Sequence, residues 1–203
     1  DKFGIPSIEE TISLSENIEN SKMLQLKGVA CHIGSQILNI ESFKMIAERT
    51  LELIERLEKL GINLGFVDLG GGLGVTYDKE VAPQPSEIIN AIEEIFKNRD
   101  EMIVLEPGRS ISANAGMLLT KVEYIKDKFL IVDAGMNDLM RPALYKAHHK
   151  IININLGDQK NKAKWDIVGP VCESSDCFAR DILLSVKQHD LIGIMGAGAY
   201  GHV

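Results

Sequence analysis

The segment GPVCESSDC, residues 169–177, contains Cys172 and Cys177 with acidic and hydroxyl side chains between them. Such a segment could bind a metal ion, form a redox pair, or supply one working thiol beside a bystander cysteine. No zinc-type spacing of cysteine and histidine occurs in the sequence, so we expect no metal site. The adjacent His148 and His149 do not alter this, because neighbouring residues on a strand face opposite ways. The redox pair and the single thiol remain open alternatives.

Three other segments, CHIGSQ, DLGGGLG and EPGRS, share a second pattern, in which an apolar strand ends at a loop of glycine and polar residues. The carboxyl ends of strands are where ligands bind in parallel α/β folds. In the second segment, Gly70, Gly71 and Gly72 let the backbone approach a ligand and turn several amides toward one anion. The alternative is a tight turn without a ligand, since the segment is neither a G-x-G-x-x-G fingerprint nor a P-loop.

Charged and aromatic side chains in these and later loops could hold an acidic small molecule. Arg109 could grip a carboxylate or phosphate with two parallel hydrogen bonds, or it could form an internal ion pair with Glu106 and bind nothing. His32 follows a strand, where a lone histidine is more often a core side chain than a catalyst. Arg141 and Tyr145, in the segment MNDLMRPALY, are also suited to clamping an acidic ligand.

Two patterns of secondary structure must position these residues. In the first, short apolar strands alternate with amphipathic helices predicted at 41–61 and 85–98, which indicates a (β/α) barrel or an open doubly wound sheet. From residue 117 onward, turn-forming residues rather than long helices separate strand-like segments, which is typical of an antiparallel β-domain. The predicted strands are 26–35, 64–74 and 101–110 in the first region, and 117–126, 128–135, 149–157, 164–172 and 190–200 in the second.

The composition argues against several classes of partner. The chain has 203 residues and a formal net charge of -7, whereas a nucleic-acid-binding domain usually carries a basic face. No apolar run reaches the roughly 18 residues that a membrane-spanning helix needs. Three cysteines without a small-domain spacing fit a reducing compartment. The sequence therefore predicts a cytoplasmic protein with no nucleic-acid partner and no membrane partner.

Six segments together resemble one known family. CHIGSQ, DLGGGLG, EPGRS, MNDLMRPALY, GPVCESSD and GAGAYG stand in the order and approximate spacing found in the diaminopimelate decarboxylases, within the alanine-racemase-like group of pyridoxal-phosphate enzymes. MRPALY and CESSD favour this branch over the related ornithine and arginine decarboxylases, which remain the alternative together with a non-catalytic homologue. The resemblance implies a (β/α)8 TIM barrel followed by a β-domain, with pyridoxal 5'-phosphate as cofactor. It also implies conversion of meso-2,6-diaminopimelate to L-lysine and CO2, the last step of lysine biosynthesis.

The resemblance implies roles for single residues as well. Cys172 would be the general acid, since a thiol can donate a proton at neutral pH, and Cys177 would be a packing residue. His32 and Glu106 would act on the cofactor, His32 against its ring and Glu106 at its ring nitrogen. The segment 169–177 would reach into the active site of the second subunit of a homodimer. The cofactor-binding residues would be His32, Ser35, Gly70, Gly71, Gly72, Glu106, Pro107, Gly108, Arg109 and Tyr200, and the substrate-binding residues would be Arg109, Arg141, Tyr145, Glu173 and Tyr200.

The same family implies a longer chain than this one. A complete barrel takes about 250 residues, so we expect residues 1–116 to be the last three or so barrel units and 117–203 a β-domain truncated at its carboxyl end. The family's lysine that forms a Schiff base with the cofactor lies on an early barrel strand, and Lys27 does not stand in a matching motif. We therefore expect a fragment that is inactive by itself.

Overall fold

The computed structural model describes residues 3–155 and 161–201, and these form two compact units. The first unit consists of the chain up to Gly74 together with Val81–Gly108, and the second of Val75–Glu80 together with the chain from Arg109 onward. The sequence pattern changes a little later, at residue 117. The expected domain limits, 1–116 and 117–203, stay a prediction.

The first unit is built on a three-stranded parallel sheet. Its elements in chain order are α1 (Ile8–Glu19), β1 (Gly28–Ala30), α2 (Ile40–Glu58), β2 (Phe66–Asp68), α3 (Pro85–Ile95) and β3 (Met102–Val104). The strands pair in the order β1-β2-β3, with Val67 of β2 opposite both Val29 and Ile103. A helix lies between each strand and the next, and parallel pairing requires a connection of that length. The three strands and two helices that the sequence pattern predicts in this region are confirmed.

Local sequence signals set the limits of the helices. Asn39 caps α2, where its side chain accepts a hydrogen bond from the Glu41 N–H. Gly61, with φ +80°, follows the end of α2 in the left-handed conformation that stops a helix. Pro85 occupies the first turn of α3, where its missing N–H would have no partner within the helix. α1 is not among the elements that the sequence pattern predicts, and Ser7 caps its amino terminus.

Burial of one face of α2 and α3 holds this sheet in place. The two helices contact each other, and their apolar side chains pack with those of β2. Such burial is the main favourable contribution to folding. The buried cluster consists of Phe43, Ala47, Ile54, Leu57, Ile62, Leu64, Val67, Leu69, Ile88, Ile92 and Phe96. The loops that follow the three strands therefore start from a rigid base.

The second unit is built on one six-stranded sheet. Its elements are α4 (Arg109–Ser112), β4 (Met117–Lys126), β5 (Phe129–Val132), α5 (Arg141–Tyr145), β6 (Ile151–Asn153), β7 (Ala163–Val168), β8 (Cys177–Leu184) and β9 (Leu191–Met195). The strand order is β6-β9-β4-β5-β7-β8, and four of the five pairings are antiparallel. The expectation of a wholly antiparallel domain is wrong for β5 and β7, which pair in parallel. The chain between Val132 and Ala163 is long enough for the crossover that a parallel pair requires.

Five of these strands coincide with segments that were predicted to be strands, with β7 beginning one residue early at Ala163, and β8 does not. The alternation of β8 is interrupted at Asp181, which has φ +53°, and its register with β7 shifts there. The predicted strand 164–172 ends at Val168, shortly before Pro170, which has no N–H for the ladder. The last two residues of the predicted strand 149–157 lie outside the described residues. None of the helices in the described ranges is long and apolar enough to cross a membrane.

Candidate active site

The loops after the three parallel strands of the first unit are tied together by hydrogen bonds. The Gly71 N–H donates to Nδ1 of His32 at 3.3 Å, which joins the loop after β2 to the loop after β1. The Glu106 N–H donates to the Gly70 carbonyl at 2.8 Å, which joins the loop after β3 to the same glycines. Because the strands are parallel, these loops lie at the carboxyl edge of the sheet, where α/β proteins bind ligands.

Close approach of the backbones explains why glycines occupy the loop after β2. A Cβ at Gly71 would lie 3.0 Å from the Glu106 carbonyl carbon and closer still to its oxygen. At Gly70, with φ +70°, a Cβ would lie 3.0 Å from Nδ1 of His32. Gly72 has φ +95°, a conformation that strains any residue with a side chain. The packing of the three loops therefore requires these glycines.

The N–H groups of two of these glycines already have partners within the chain. Gly70 donates to Oδ1 of Asp68 at 2.8 Å, and Gly71 donates to His32. These hydrogen bonds support the alternative in which this loop is a tight turn without a ligand. Anion binding by the loop stays a prediction.

The polar side chains at this edge are accessible to a ligand. His32 is exposed, so it is not the buried core side chain that a lone histidine after a strand usually is. Glu106 is exposed as well, and so are Ser35, Pro107 and Gly108. The structure therefore brings together, in one unit and at one sheet edge, most of the residues that the resemblance assigns to the cofactor.

In the second unit, Arg109, Arg141 and Tyr200 belong to one stacked cluster around Tyr77. Nη1 of Arg109 donates to the Tyr77 hydroxyl at 3.0 Å, and its guanidinium carbon lies 4.5 Å from the centroid of the Tyr200 ring. The guanidinium carbon of Arg141 lies 4.1 Å from the centroid of the Tyr77 ring. Both arginines thus make cation–π contacts. Two guanidinium groups in one cluster create a positive potential that suits an anionic ligand.

His149 supports this cluster from the buried side. Its Nε2 lies 2.9 Å from Nη1 of Arg141, and its Nδ1 lies 2.8 Å from the Met195 carbonyl oxygen. Arginine can only donate and a carbonyl can only accept, so the imidazole is neutral and carries its proton on Nδ1. Burial lowers the pKa of His149, and the charge of Arg141 lowers it further. Its ring also meets the Tyr77 ring edge-on, with centroids 5.1 Å apart.

Sequence reasoning missed the contributions of Tyr77 and His149. Tyr77 lies in the segment between β2 and α3, in none of the six motifs. In the sequence, His149 is marked only by its adjacency to His148, and its bond to Arg141 depends on how the chain folds back after α5. No spacing in the sequence signals either contact.

Tyr145, Cys172 and Glu173 are all exposed. Tyr145 ends α5, and the other two lie in the loop between β7 and β8. All three cysteines of the chain are free, so the structure gives no support to a redox pair. Cys177 is half-buried at the start of β8, and burial raises the pKa of its thiol. Within the described ranges, no group of three or more ligating side chains could hold a metal ion.

The sequence of this chain also matches a known protein family. Residues 13–198 match the family described as pyridoxal-dependent decarboxylase, C-terminal sheet domain. The chain therefore belongs to the pyridoxal-dependent decarboxylases, which are lyases. Within that family, it is similar to diaminopimelate decarboxylases. Those of Haemophilus influenzae and Pseudomonas aeruginosa are each 46% identical, over 207 and 206 residues, and the match covers 98% and 100% of this chain and 49% of each relative.

A solved structure shows the same similarity. The crystal structure of diaminopimelate decarboxylase from Helicobacter pylori complexed with L-lysine is 40% identical to this chain and superimposes with a TM-score of 0.94. The match covers 99% of this chain and 51% of that one. The resemblance inferred from the six segments is thereby confirmed. The chain spans about half the length of the curated relatives it matches.

Proposed function

We propose that this chain contributes to a diaminopimelate decarboxylase, which converts meso-2,6-diaminopimelate to L-lysine and CO2 and completes lysine biosynthesis. The observation that carries the proposal is the carboxyl edge of the first sheet, where the His32 imidazole, the glycine loop and the segment of Glu106 are joined by hydrogen bonds. A ring cofactor with a phosphate group needs a surface for the ring, a partner for its nitrogen and an approachable backbone. The names of the similar relatives support the same activity.

The residues at this edge fit pyridoxal 5'-phosphate. Gly70 and Gly71 keep side chains out of the place where the three loops meet, so that a ligand can approach the backbone. When bound, pyridoxal phosphate accepts the electron pair that remains when the carboxylate leaves the substrate. Glu106 would face the ring nitrogen, where a carboxylate favours the protonated ring, and His32 would offer a surface for the ring.

The phosphate group would be held by residues that the family resemblance assigns to it. The N–H groups of Gly70 and Gly71 already donate within the chain, so these glycines act chiefly by permitting close approach. The family resemblance also assigns Ser35, Gly72, Gly108, Arg109 and Tyr200 to the cofactor, with Pro107 before Gly108. Both the arginine and the tyrosine belong to the cluster around Tyr77.

The substrate has two amino-acid ends, and the second unit offers a group for each charge at the far end. Arg109 and Arg141, stacked around Tyr77, bind the far carboxylate, and Tyr145 and Tyr200 add hydroxyl groups. Glu173, in the segment that serves the second subunit of the proposed homodimer, would accept the far ammonium group of the substrate bound there. Cys172, also in the segment that serves the second subunit, would donate its thiol proton to the carbon atom that has lost the carboxylate, so that a C–H bond replaces the broken C–C bond.

The proposal extends to the architecture of the whole protein. Residues 1–116 would be the last three or so units of a (β/α)8 barrel and 117–203 most of a β-domain, because the chain spans about half of its relatives. The lysine that binds the cofactor would lie in the other half. The protein would be a cytoplasmic homodimer in which the segment 169–177 serves the active site of the second subunit.

The test is a decarboxylation assay of the full-length protein with pyridoxal phosphate. We expect CO2 and L-lysine from meso-2,6-diaminopimelate, with much lower turnover of ornithine and arginine. A preference for ornithine or arginine would refute the substrate assignment. A protein that binds the cofactor and turns over none of the three substrates would be a non-catalytic homologue.

A further inference from the structure

Asp176 is a buried carboxylate beside two residues to which the proposed function gives roles. Its side chain has a relative exposure of only 3%. In contrast, residues 171–174, which include Cys172 and Glu173, are all exposed. Within the single chain, exposed residues gain little from apolar packing, so hydrogen bonds set the position of this loop there. Asp176 takes part in four of those bonds.

Both carboxylate oxygens of Asp176 accept hydrogen bonds from backbone N–H groups. Oδ2 accepts from Val171 at 2.7 Å, and Val171 is the first residue of the exposed stretch 171–174 that contains Cys172 and Glu173, following the exposed Pro170. Oδ1 accepts from Met136 at 2.7 Å, and Met136 lies in the segment between β5 and α5. That segment leads directly into Arg141, the first residue of α5. The buried carboxylate of Asp176 thus links the loop that contains Cys172 to the segment that leads into Arg141.

The surroundings of Asp176 are shaped around its carboxylate. A Cβ at Gly169 would lie 2.6 Å from Oδ1 of Asp176 and 2.7 Å from the Ala134 carbonyl oxygen, so only glycine fits there. The Gly169 N–H donates to the Asp176 carbonyl at 3.2 Å, which closes the base of the loop. The Asp176 N–H donates to the Glu173 carbonyl at 3.0 Å, so the residue also holds the backbone of the proposed ammonium acceptor.

We propose that Asp176 is a positioning residue, whose carboxylate fixes the loop of Cys172 and Glu173 to the segment that carries Arg141. The inference rests on the proposed function, in which Cys172 and Glu173 serve the active site of the second subunit and Arg141 binds substrate in that of its own chain. A carboxylate accepts on both oxygens, whereas an amide in its place turns an NH2 donor toward one of the two N–H groups. Asparagine therefore breaks one of the two links and lets the loop move away from the arginine segment.

The test uses the full-length enzyme with Asp176→Asn, and with Asp127→Asn as a control for the same chemical change. Asp127 is exposed between β4 and β5 and has φ +53°, a conformation that asparagine tolerates. Hydrogen exchange of the Met136 and Val171 amides should become about tenfold faster or more in Asp176→Asn and stay unchanged in the control. Turnover per bound cofactor should fall roughly 100-fold at unchanged cofactor content. Gly169→Ala displaces the carboxylate of Asp176 without removing it. It should therefore also speed hydrogen exchange of the two amides and lower turnover.

Several outcomes would overturn the proposal. Unchanged exchange at both amides in Asp176→Asn is one, and faster exchange with wild-type turnover is another. A loss of activity that merely follows the unfolded fraction, with kcat per folded, cofactor-loaded site unchanged, would show a purely structural role. A wild-type enzyme that binds the cofactor but does not decarboxylate meso-2,6-diaminopimelate refutes the proposed function instead. The exchange measurement then decides by itself whether Asp176 holds the loop.

Discussion

Replacement of Gly71 by alanine tests whether the loops after the three parallel strands must meet as closely as they do. The added Cβ would lie 3.0 Å from the Glu106 carbonyl carbon and closer to its oxygen, whereas ordinary van der Waals contacts begin at 3.4 Å. The loop of Glu106 must therefore shift by roughly 1 Å, and a displacement of that size costs a catalytic group about 100-fold in rate. The overpacking should also lower the free energy of unfolding by about 1–3 kcal/mol.

The measurements are made on the full-length enzyme, as the affinity for pyridoxal phosphate by absorbance titration and as turnover at saturating cofactor. Gly65→Ala is the matched control, because its Cβ would lie 3.5 Å from the Lys27 carbonyl oxygen, which is an ordinary contact. Neither Gly65 nor Gly71 has a positive φ, so the two variants differ in steric contact and not in backbone strain. Gly65→Ala should behave as the wild type does. Wild-type affinity and turnover in Gly71→Ala would refute the reasoning about the glycine loop.

Three further predictions concern the second unit. Cys172→Ala should lower turnover by about 100-fold or more, the usual contribution of a general acid, while Cys177→Ala changes it little. Equal losses in the two variants would contradict a single proton donor. Tyr77→Phe removes the 3.0 Å hydrogen bond from Arg109 but keeps the aromatic ring. The KM for meso-2,6-diaminopimelate should therefore rise less in Tyr77→Phe than in Tyr77→Leu, which also removes the ring. Equal KM values in the two variants would rule out a contribution of the ring. In the folded chain, burial lowers the pKa of His149 below its ordinary value of 6.5. The unfolded chain therefore binds a proton at His149 more readily than the folded chain does. The free energy of unfolding should therefore be highest above pH 6.5 and fall as the pH drops below it. Urea unfolding at about pH 8 and about pH 5 should show that the free energy of unfolding falls less between these pH values in His149→Gln than in the wild type. An equal fall in both proteins would contradict this assignment.

Much of the fold follows from local patterns, and its exceptions have physical reasons. Apolar periodicity predicts α2 and α3 because each helix buries one face against the same core. It does not reveal α1, in which Ser15 is the buried residue and the apolar side chains stay partly exposed. It misses β8, whose alternation breaks at Asp181. The parallel pairing of β5 with β7 cannot be read from either strand, because strand direction depends on the path of the connection between them.

For the candidate site, the sequence by itself determined the residue types that would meet a ligand. The glycine loop, His32, Glu106, the arginines and Cys172 stand in an order and spacing that carry the family resemblance. Only the tertiary structure decided what supports them. Tyr77 and Arg109 are 32 positions apart in the chain, and Met136 and Asp176 are 40 apart, yet each pair is hydrogen-bonded. Hydrogen bonds and ring contacts act over a few ångströms, so they depend on where the folded chain brings distant residues together and leave no regular spacing in the sequence.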